Sequence, residues 1–150
     1  MLLRLSRFAV TLMLASVALF GNRIALAYLI VGNLDLLFDQ DGKVTTKVNT
    51  AGPNYIEGIA VQPDGKILAA GYSLNSGPGG YIYQMALVQY LPNGTIDPDF
   101  GTTGVITSSP GLSGPLYAVV SQPDGKFIVA GEQSGLVLAR FGANGSPDPT

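Results

Sequence analysis

Aspartates are the residues of this chain whose repeated spacing most directly suggests chemistry. Asp35, Asp97 and Asp148 each follow a glycine by three positions, and Asp64 and Asp124 lie in two copies of the pentapeptide Gln-Pro-Asp-Gly-Lys. Two carboxylates can act as general acid and general base only when they lie in unlike environments. Equivalent positions of a repeat provide like environments. We therefore predict that these aspartates stabilise turns and are not catalytic.

The residues that we assign to structural turns on this basis are Gln62, Pro63, Asp64, Gly65, Lys66, Gln122, Pro123, Asp124, Gly125, Lys126, Asp35, Asp97 and Asp148.

A separate acidic segment, Asp39-Gln40-Asp41-Gly42, is similar to the start of a calcium-binding loop. Oxygen ligands at alternate positions before a sharp glycine turn suit this ion, but a third alternate ligand and a distant bidentate glutamate are missing. We favour a turn in which the aspartate side chains accept hydrogen bonds from nearby backbone amides. Calcium binding by Asp39 and Asp41 stays open, and we expect no metal site and no cofactor.

Histidine and cysteine are both absent from the 150 residues. Their absence removes structural zinc sites of the usual kind, thiol nucleophiles, disulfides and histidine bases. An enzyme would have to use carboxylates, tyrosine, lysine or Arg140. We therefore expect a protein that is not an enzyme.

Four tyrosines, Tyr72, Tyr81, Tyr83 and Tyr90, flank a segment rich in glycine and serine. Aromatic side chains provide a large contact area at low entropic cost, so this group could form a binding surface. Tyrosine is equally common in β-strands. The sequence leaves both interpretations open.

An internal repeat organises the chain after its N-terminal segment. The pentapeptide Gln-Pro-Asp-Gly-Lys occurs at Gln62–Lys66 and 60 residues later at Gln122–Lys126, and the same motifs follow one another in the same order around each copy. The first copy carries nine additional residues near Ser73–Tyr81. Length variation within one Gly- and Ser-rich stretch predicts a surface loop between two strands.

Each copy is predicted to form four short strands. In the first copy they are about Lys43–Val48, Tyr55–Gln62, Lys66–Tyr72 and Ile82–Tyr90. The pentapeptide suits a tight hairpin turn, with glycine at the left-handed position. The strands are almost continuously apolar or small, as in sheets covered on both faces. The predicted fold is all-β, with two four-stranded antiparallel blades of an open, partial β-propeller after an N-terminal signal helix.

The repeat resembles the bacterial delta-60 repeat. The resemblance rests on Gly94-Thr-Ile-Asp-Pro-Asp-Phe-Gly-Thr-Thr-Gly-Val, on Gln122-Pro-Asp-Gly-Lys-Phe-Ile-Val-Ala-Gly and on Leu138-Ala-Arg-Phe-Gly-Ala-Asn-Gly-Ser, and it covers about residues 32–150. It implies tandem blades in secreted or cell-surface proteins without an established activity. The first copy departs from the pattern, with Asp39 in place of the expected glycine and Gln89 in place of the residue that Arg140 provides.

The first 27 residues have the three-part layout of a secretory signal peptide. Arg4 and Arg7 precede the apolar run Phe8–Phe20, and the small-residue site Ala25-Leu26-Ala27 follows. We predict cleavage after Ala27, with an uncleaved membrane anchor as the alternative. The predicted organisation is a signal peptide (1–27), a first blade (28–93), a second blade (94–144) and the start of a third repeat (145–150).

These features predict a secreted, periplasmic or cell-surface protein with no membrane contact after cleavage. Residues 28–150 carry five basic and ten acidic side chains, which disfavours nucleic acid as a partner. The leading hypothesis is a non-catalytic binding or structural module with an unknown ligand. The alternatives are a fragment of a polysaccharide-acting hydrolase or lyase and a truncated remnant without function. Two blades alone would expose apolar faces, so we expect further repeats or self-association to cover them.

Overall fold

The computed structural model describes residues 34–50 and 52–148. The strands in this part of the chain are β1 (Asn54–Val61), β2 (Ile67–Gly77), β3 (Gly80–Tyr90), β4 (Val105–Ile106), β5 (Leu116–Ser121), β6 (Phe127–Glu132) and β7 (Leu136–Phe141). None of the described residues is helical, so this part holds no helix that could cross a membrane. The predicted all-β fold class is confirmed. The predicted signal peptide, its helix and its cleavage site lie outside the described residues.

The described residues form two open antiparallel sheets, with strand orders β1-β2-β3-β4 and β5-β6-β7. The fourth strand of the first sheet comes from the second copy of the repeat, because Leu87 and Val88 of β3 pair with Ile106 and Val105. The first sheet is therefore completed by the first strand of the following copy. Among the described residues, the second sheet has three strands, not the predicted four.

The prediction of a strand at Lys43–Val48 was wrong, because this segment forms no strand. Its counterpart β4 pairs with the preceding sheet, and among the described residues no sheet precedes the first one. The segment packs instead on the face of the first sheet. Val44 and Val48 contact the cluster that contains Val88 and Tyr90, and the Tyr90 hydroxyl donates a hydrogen bond of 2.8 Å to Thr46 Oγ1.

The nine additional residues of the first copy form strands, not the predicted surface loop. They lengthen β2 and β3 to 11 residues each, with Gly77 paired to Gly80 across a two-residue turn at Pro78 and Gly79. β-prone tyrosines and an isoleucine occupy one strand of the extension, and Asn75 Nδ2 donates a hydrogen bond to Gln84 Oε1 across the pair. Cross-strand pairing therefore outweighs the turn-forming composition of this stretch.

The main core lies between the two sheets. Leu68, Ala70 and Leu87 of the first sheet belong to one buried cluster with Phe127 and Phe141 of the second. Because side chains alternate along a strand, the neighbours of these residues point to the opposite face of each sheet. In the first sheet that face is covered by the segment at residues 44–48, so both of its faces carry packed residues, as its apolar strands predict.

Candidate functional site

Both pentapeptides form the turn that joins two neighbouring strands, Gln62–Lys66 between β1 and β2 and Gln122–Lys126 between β5 and β6. The Gln62 amide donates to the Lys66 carbonyl at 2.8 Å, and the Gln122 amide donates to the Lys126 carbonyl at the same distance. Gly65 and Gly125 have φ values of 84° and 83°, a left-handed conformation that glycine adopts without strain. The two turns are equivalent in geometry.

The lysine of each pentapeptide forms an ion pair with the aspartate that begins the next copy of the repeat. Lys66 Nζ lies 2.8 Å from Asp97 Oδ2, and Lys126 Nζ lies 2.8 Å from Asp148 Oδ2. Arg140 Nε also lies 3.0 Å from Asp148 Oδ2. We call the Lys66–Asp97 and Lys126–Asp148 ion pairs the lysine–aspartate locks. Sequence reasoning placed each lysine and aspartate in a separate turn and missed their pairing.

The lock of the first sheet lies at a buried carboxylate, since Asp97 exposes only 3% of its side chain. The Lys66 ammonium lowers the pKa of Asp97 below its ordinary value of 3.8, against the opposing effect of burial. In turn, the hydrogen bond with Asp97 raises the pKa of Lys66 above 10.5. Both groups are thus held in their charged forms by each other.

Asp35, the counterpart of Asp97 in the first copy, has an exposed side chain. Its Oδ1 atom accepts a hydrogen bond of 3.0 Å from the Leu37 amide. In the acidic segment, Asp41 Oδ1 accepts from the Lys43 amide at 3.0 Å. The described residues contain no group of three or more His, Cys, Asp or Glu side chains that could hold a metal ion.

A buried polar contact joins the two sheets next to the pentapeptide turns. Gln62 Nε2 donates a hydrogen bond of 3.1 Å to the Gly125 carbonyl in the turn of the second sheet. Gln89 Nε2 donates to Gln62 Oε1. Gln89 is the counterpart of Arg140 in the first copy. Its side-chain amide supports the contact between the two sheets, which explains this departure from the repeat pattern.

Tyrosines from both sheets meet at the end of the molecule away from these turns. An open cavity of about 560 Å³ lies there. Its lining residues, which define the tyrosine cleft, are Tyr72, Tyr83, Pro115, Tyr117, Glu132, Gln133 and Ser134. The first sheet provides Tyr72 and Tyr83, the second sheet provides Tyr117 and Glu132, and the remaining residues lie just outside the strands of the second sheet.

The extended hairpin accounts for the shape of the tyrosine cleft. The pair Tyr72 and Met85 in the first sheet corresponds to the pair Glu132 and Leu136, at which the shorter hairpin of the second sheet ends. The first hairpin therefore continues beyond the second sheet and leaves the inner face that carries Tyr83 uncovered. Sequence reasoning singled out Tyr72 and Tyr83 on the basis of this insertion.

Tyr117 reaches the cleft from a β-bulge. The pairing of β5 with β6 shifts register between Leu116 and Ala118, so Tyr117 is the extra residue. Bulges redirect a side chain away from the normal alternation. Glu57 occupies the same bulge position in β1, between Ile56 and Gly58. Sequence reasoning missed Tyr117, because nothing in the local composition marks the bulge.

The rings of the first sheet form a short aromatic row. The centroids of Tyr55 and Tyr72 lie 5.0 Å apart with an interplanar angle of 30°, and those of Tyr72 and Tyr83 lie 5.4 Å apart at 54°. The other two tyrosines of the sequence-based group lie elsewhere. Tyr81 is exposed on the hairpin, and Tyr90 is buried on the opposite face of the sheet.

Partial burial and acidic neighbours raise the pKa values of two cleft tyrosines, Tyr72 and Tyr117. Partial burial and the Glu57 carboxylate raise the pKa of Tyr72 above its ordinary value of 10.0. Partial burial and Glu132 do the same to the pKa of Tyr117, whose hydroxyl lies 3.4 Å from Glu132 Oε2. The two phenols therefore remain protonated at neutral pH. They can present ring faces and donate hydrogen bonds, but they are poor bases.

The chain is similar to a β-propeller repeat family. A family model described as "Domain of unknown function (DUF5122) beta-propeller" matches residues 62–100 and 122–150. Each matched segment begins at the glutamine of a pentapeptide and includes both partners of one lysine–aspartate lock. The comparison confirms a β-propeller repeat. No curated protein and no solved structure matches the chain.

Proposed function

We propose that this chain is a non-catalytic, extracellular β-propeller module of the delta-60 type that binds a ligand in the tyrosine cleft. The observation that carries the proposal is the meeting of Tyr72, Tyr83 and Tyr117, from two different sheets, around one open cavity. Tyr83 exposes 51% of its surface and Tyr117 exposes 47%. Rings that are fixed by strands and half exposed offer apolar area together with a polar hydroxyl, as in many binding surfaces.

The cleft tyrosines are not features of the repeat. At a spacing of 60 residues, Tyr72 corresponds to Glu132 and Tyr117 to Glu57, and Tyr83 lies in residues 73–84, which the second copy replaces with the three residues Gln133–Gly135. The pentapeptide turns and the locks, by contrast, recur in both copies. Residues that a blade requires for its fold should recur with it. The tyrosines therefore support a role other than the folding of each blade.

The non-catalytic part of the proposal rests on the chemistry of the side chains. The sequence offers no histidine or cysteine. Asp97 and Asp148 are engaged in the locks. Raised pKa values keep Tyr72 and Tyr117 protonated, so they are unsuited to proton abstraction. Release of reducing ends from cell-wall or extracellular polysaccharides by the purified full chain would contradict this part.

The extracellular part rests on the sequence of residues 1–27. The charged, apolar and small-residue regions of this segment support export followed by cleavage. N-terminal sequencing of the exported protein should begin at Tyr28. An exported form that retains residues 1–27 in the membrane would contradict cleavage.

Binding can be tested by NMR on the full chain, with its tyrosine ring signals as reporters. The probes are an N-acetylglucosamine oligosaccharide, a proline-rich peptide and choline. We expect at least one probe to shift the signals of Tyr72, Tyr83 or Tyr117 in a saturable manner. Tyr90, which lies on the opposite face of the first sheet, should not shift. If none of the three probes moves the cleft signals, the binding function fails.

A further inference from the structure

The shape of the tyrosine cleft favours a compact ligand group over a flat one. The rings of Tyr72 and Tyr83 are inclined at 54°, so they form a corner and not a flat platform. One face of Tyr72 is already stacked on Tyr55. Tyr117 approaches from the other sheet. A sugar ring needs a flat aromatic surface, whereas a rounded group can contact several inclined ring faces at once.

The charge around the cleft favours a cation. The chain has only two glutamates, and both act on cleft tyrosines, Glu132 on Tyr117 and Glu57 on Tyr72. Glu132 also lines the cavity, and none of the described lysines and arginines does. Ring faces carry a negative quadrupole, so aromatic and carboxylate groups here attract the same type of ligand.

The lysines and the arginine that form ion pairs in the described part of the chain all have their partners outside the cleft. Lys66, Lys126 and Arg140 face Asp97 or Asp148, and Lys43 lies near Asp41. A cation in the cleft is therefore not opposed by a basic side chain that lines the cavity. The negative potential of the cleft remains available to an incoming ligand.

We infer that the tyrosine cleft binds a quaternary ammonium group, held by the faces of Tyr72, Tyr83 and Tyr117 beside the Glu132 carboxylate. This inference rests on the binding function proposed above. A methylated ammonium group is rounded, weakly hydrated and positively charged, and it makes favourable contacts with several aromatic faces at once. Its source can be a free choline-like molecule or the headgroup of a choline lipid.

The test uses the full chain, with choline as the probe and 3,3-dimethyl-1-butanol as its uncharged isostere. We expect choline to shift the ring signals of Tyr72, Tyr83 and Tyr117, and the isostere to bind about tenfold more weakly or not at all. Equal binding of the isostere would overturn the cationic inference and leave the binding function intact. If only the oligosaccharide or the peptide caused shifts, the cationic inference would also be overturned and the binding function would stay intact.

Four variants separate recognition from structural damage. Tyr83→Ala should weaken choline binding about tenfold, and Tyr83→Phe should retain it, because the ring face is kept. Glu132→Gln should weaken binding and reduce its dependence on salt. Tyr81→Ala is the matched control, since Tyr81 lies on the same hairpin but does not line the cavity. Loss of binding in Tyr81→Ala alone, or unchanged binding in both Tyr83→Ala and Glu132→Gln, would overturn the inference.

Co-sedimentation with two kinds of lipid vesicle identifies the source of the ammonium group. Vesicles of phosphatidylcholine and of phosphatidylglycerol are compared by co-sedimentation with the full chain and with Tyr83→Ala. Sedimentation with phosphatidylcholine only, lost in the variant, indicates a lipid headgroup. Binding of choline without sedimentation indicates a free ligand. Equal sedimentation with both lipids, together with no response to choline, would contradict recognition of the ammonium group.

Discussion

At the scale of single residues, the lysine–aspartate locks connect each copy of the repeat to the next. Lys66 lies in the turn of the first sheet, and Asp97 lies in the motif that leads into the second. The same contact recurs between Lys126 and Asp148. Isolated surface ion pairs contribute little to stability, but a pair with one buried partner costs more to break because a charge loses its partner.

The first prediction compares two aspartates from the same motif. Asp97→Ala should lower the free energy of unfolding by about 2 kcal/mol, because it removes the lock and a turn hydrogen bond to the Asp99 amide. Asp35→Ala should cost at most about 0.5 kcal/mol, since Asp35 is exposed. Urea denaturation of both variants and the wild type measures the difference. Equal losses would contradict a stabilising role for the lock.

The second prediction concerns the pH dependence of the same lock. The pKa of Asp97 is lowered, so its stabilisation is present above 3.8 and is lost as pH falls through the lower folded value. The pKa of Lys66 is raised, so its stabilisation is present below 10.5 and is lost as pH rises through the folded value. The stability difference between wild type and Asp97→Ala should be constant near neutrality and shrink at both extremes. Urea denaturation at acidic, neutral and alkaline pH measures this difference in stability. A difference unchanged at about pH 2 would contradict stabilisation by the Lys66–Asp97 ion pair.

At the scale of elements, the hairpin of β2 and β3 separates into a core part and an extension. The buried clusters include Leu68, Ala69 and Ala70 in β2 and Leu87 and Val88 in β3. Residues 73–84 contribute to neither cluster. They correspond to the three residues Gln133–Gly135 of the second sheet. The extension is therefore a candidate binding element carried by a complete blade.

The third prediction rests on the correspondence between residues 73–84 and Gln133–Gly135. Replacement of residues 73–84 by Gln-Ser-Gly should preserve the fold, with a loss of about 1 kcal/mol or less, because it removes no residue of the buried clusters. It should abolish ligand-induced shifts of Tyr117, which remains in the chain. Circular dichroism, urea denaturation and NMR titration provide the three readouts. Complete unfolding of the variant would show that the extension is required for the blade.

At the scale of the whole molecule, the two sheets stack in the same orientation. Leu68, Ala70 and Leu87 of the first sheet pack against the second. Their counterparts on the second sheet are Ile128, Ala130 and Leu138. Leu138 exposes 75% of its surface, whereas Leu87 exposes none. The exposed outer face of the second sheet thus carries residues equivalent to those with which the first sheet packs against the second sheet.

The fourth prediction is that this outer face drives self-association of the purified full chain, because large exposed apolar patches favour contacts. Leu138→Lys should reduce self-association, since it places a charge on this exposed apolar face. Leu37→Lys is the control, because Leu37 is at least as exposed as Leu138 but lies in a turn segment. Size-exclusion chromatography with light scattering measures the effect. A wild-type monomer that unfolds cooperatively would contradict the expected need for a covering partner.

Local patterns in the sequence were sufficient for features that depend on neighbouring residues. The glycine in each pentapeptide adopts the left-handed conformation that its turn requires, so both hairpins follow from five residues. The nearly continuous apolar character of the strands on either side of each pentapeptide predicted sheets packed on two faces, and the first sheet has this arrangement. The recurrence of motifs predicted two similar sheets, but it assigned Lys43–Val48 to the first sheet, where β4 pairs instead.

Only the tertiary structure decided the contacts between residues that are distant in the chain. Strand β4 joins the first sheet because the pairing edge of β3 is available to it, although β4 belongs to the next copy. The pairing of Lys66 with Asp97 and the approach of Tyr117 to Tyr72 depend on how one sheet stacks on the other and on a bulge in β5. Strand periodicity describes the two faces of one sheet, but it contains no information on which faces meet. The turns are therefore local properties of this sequence, whereas the locks and the tyrosine cleft arise from packing.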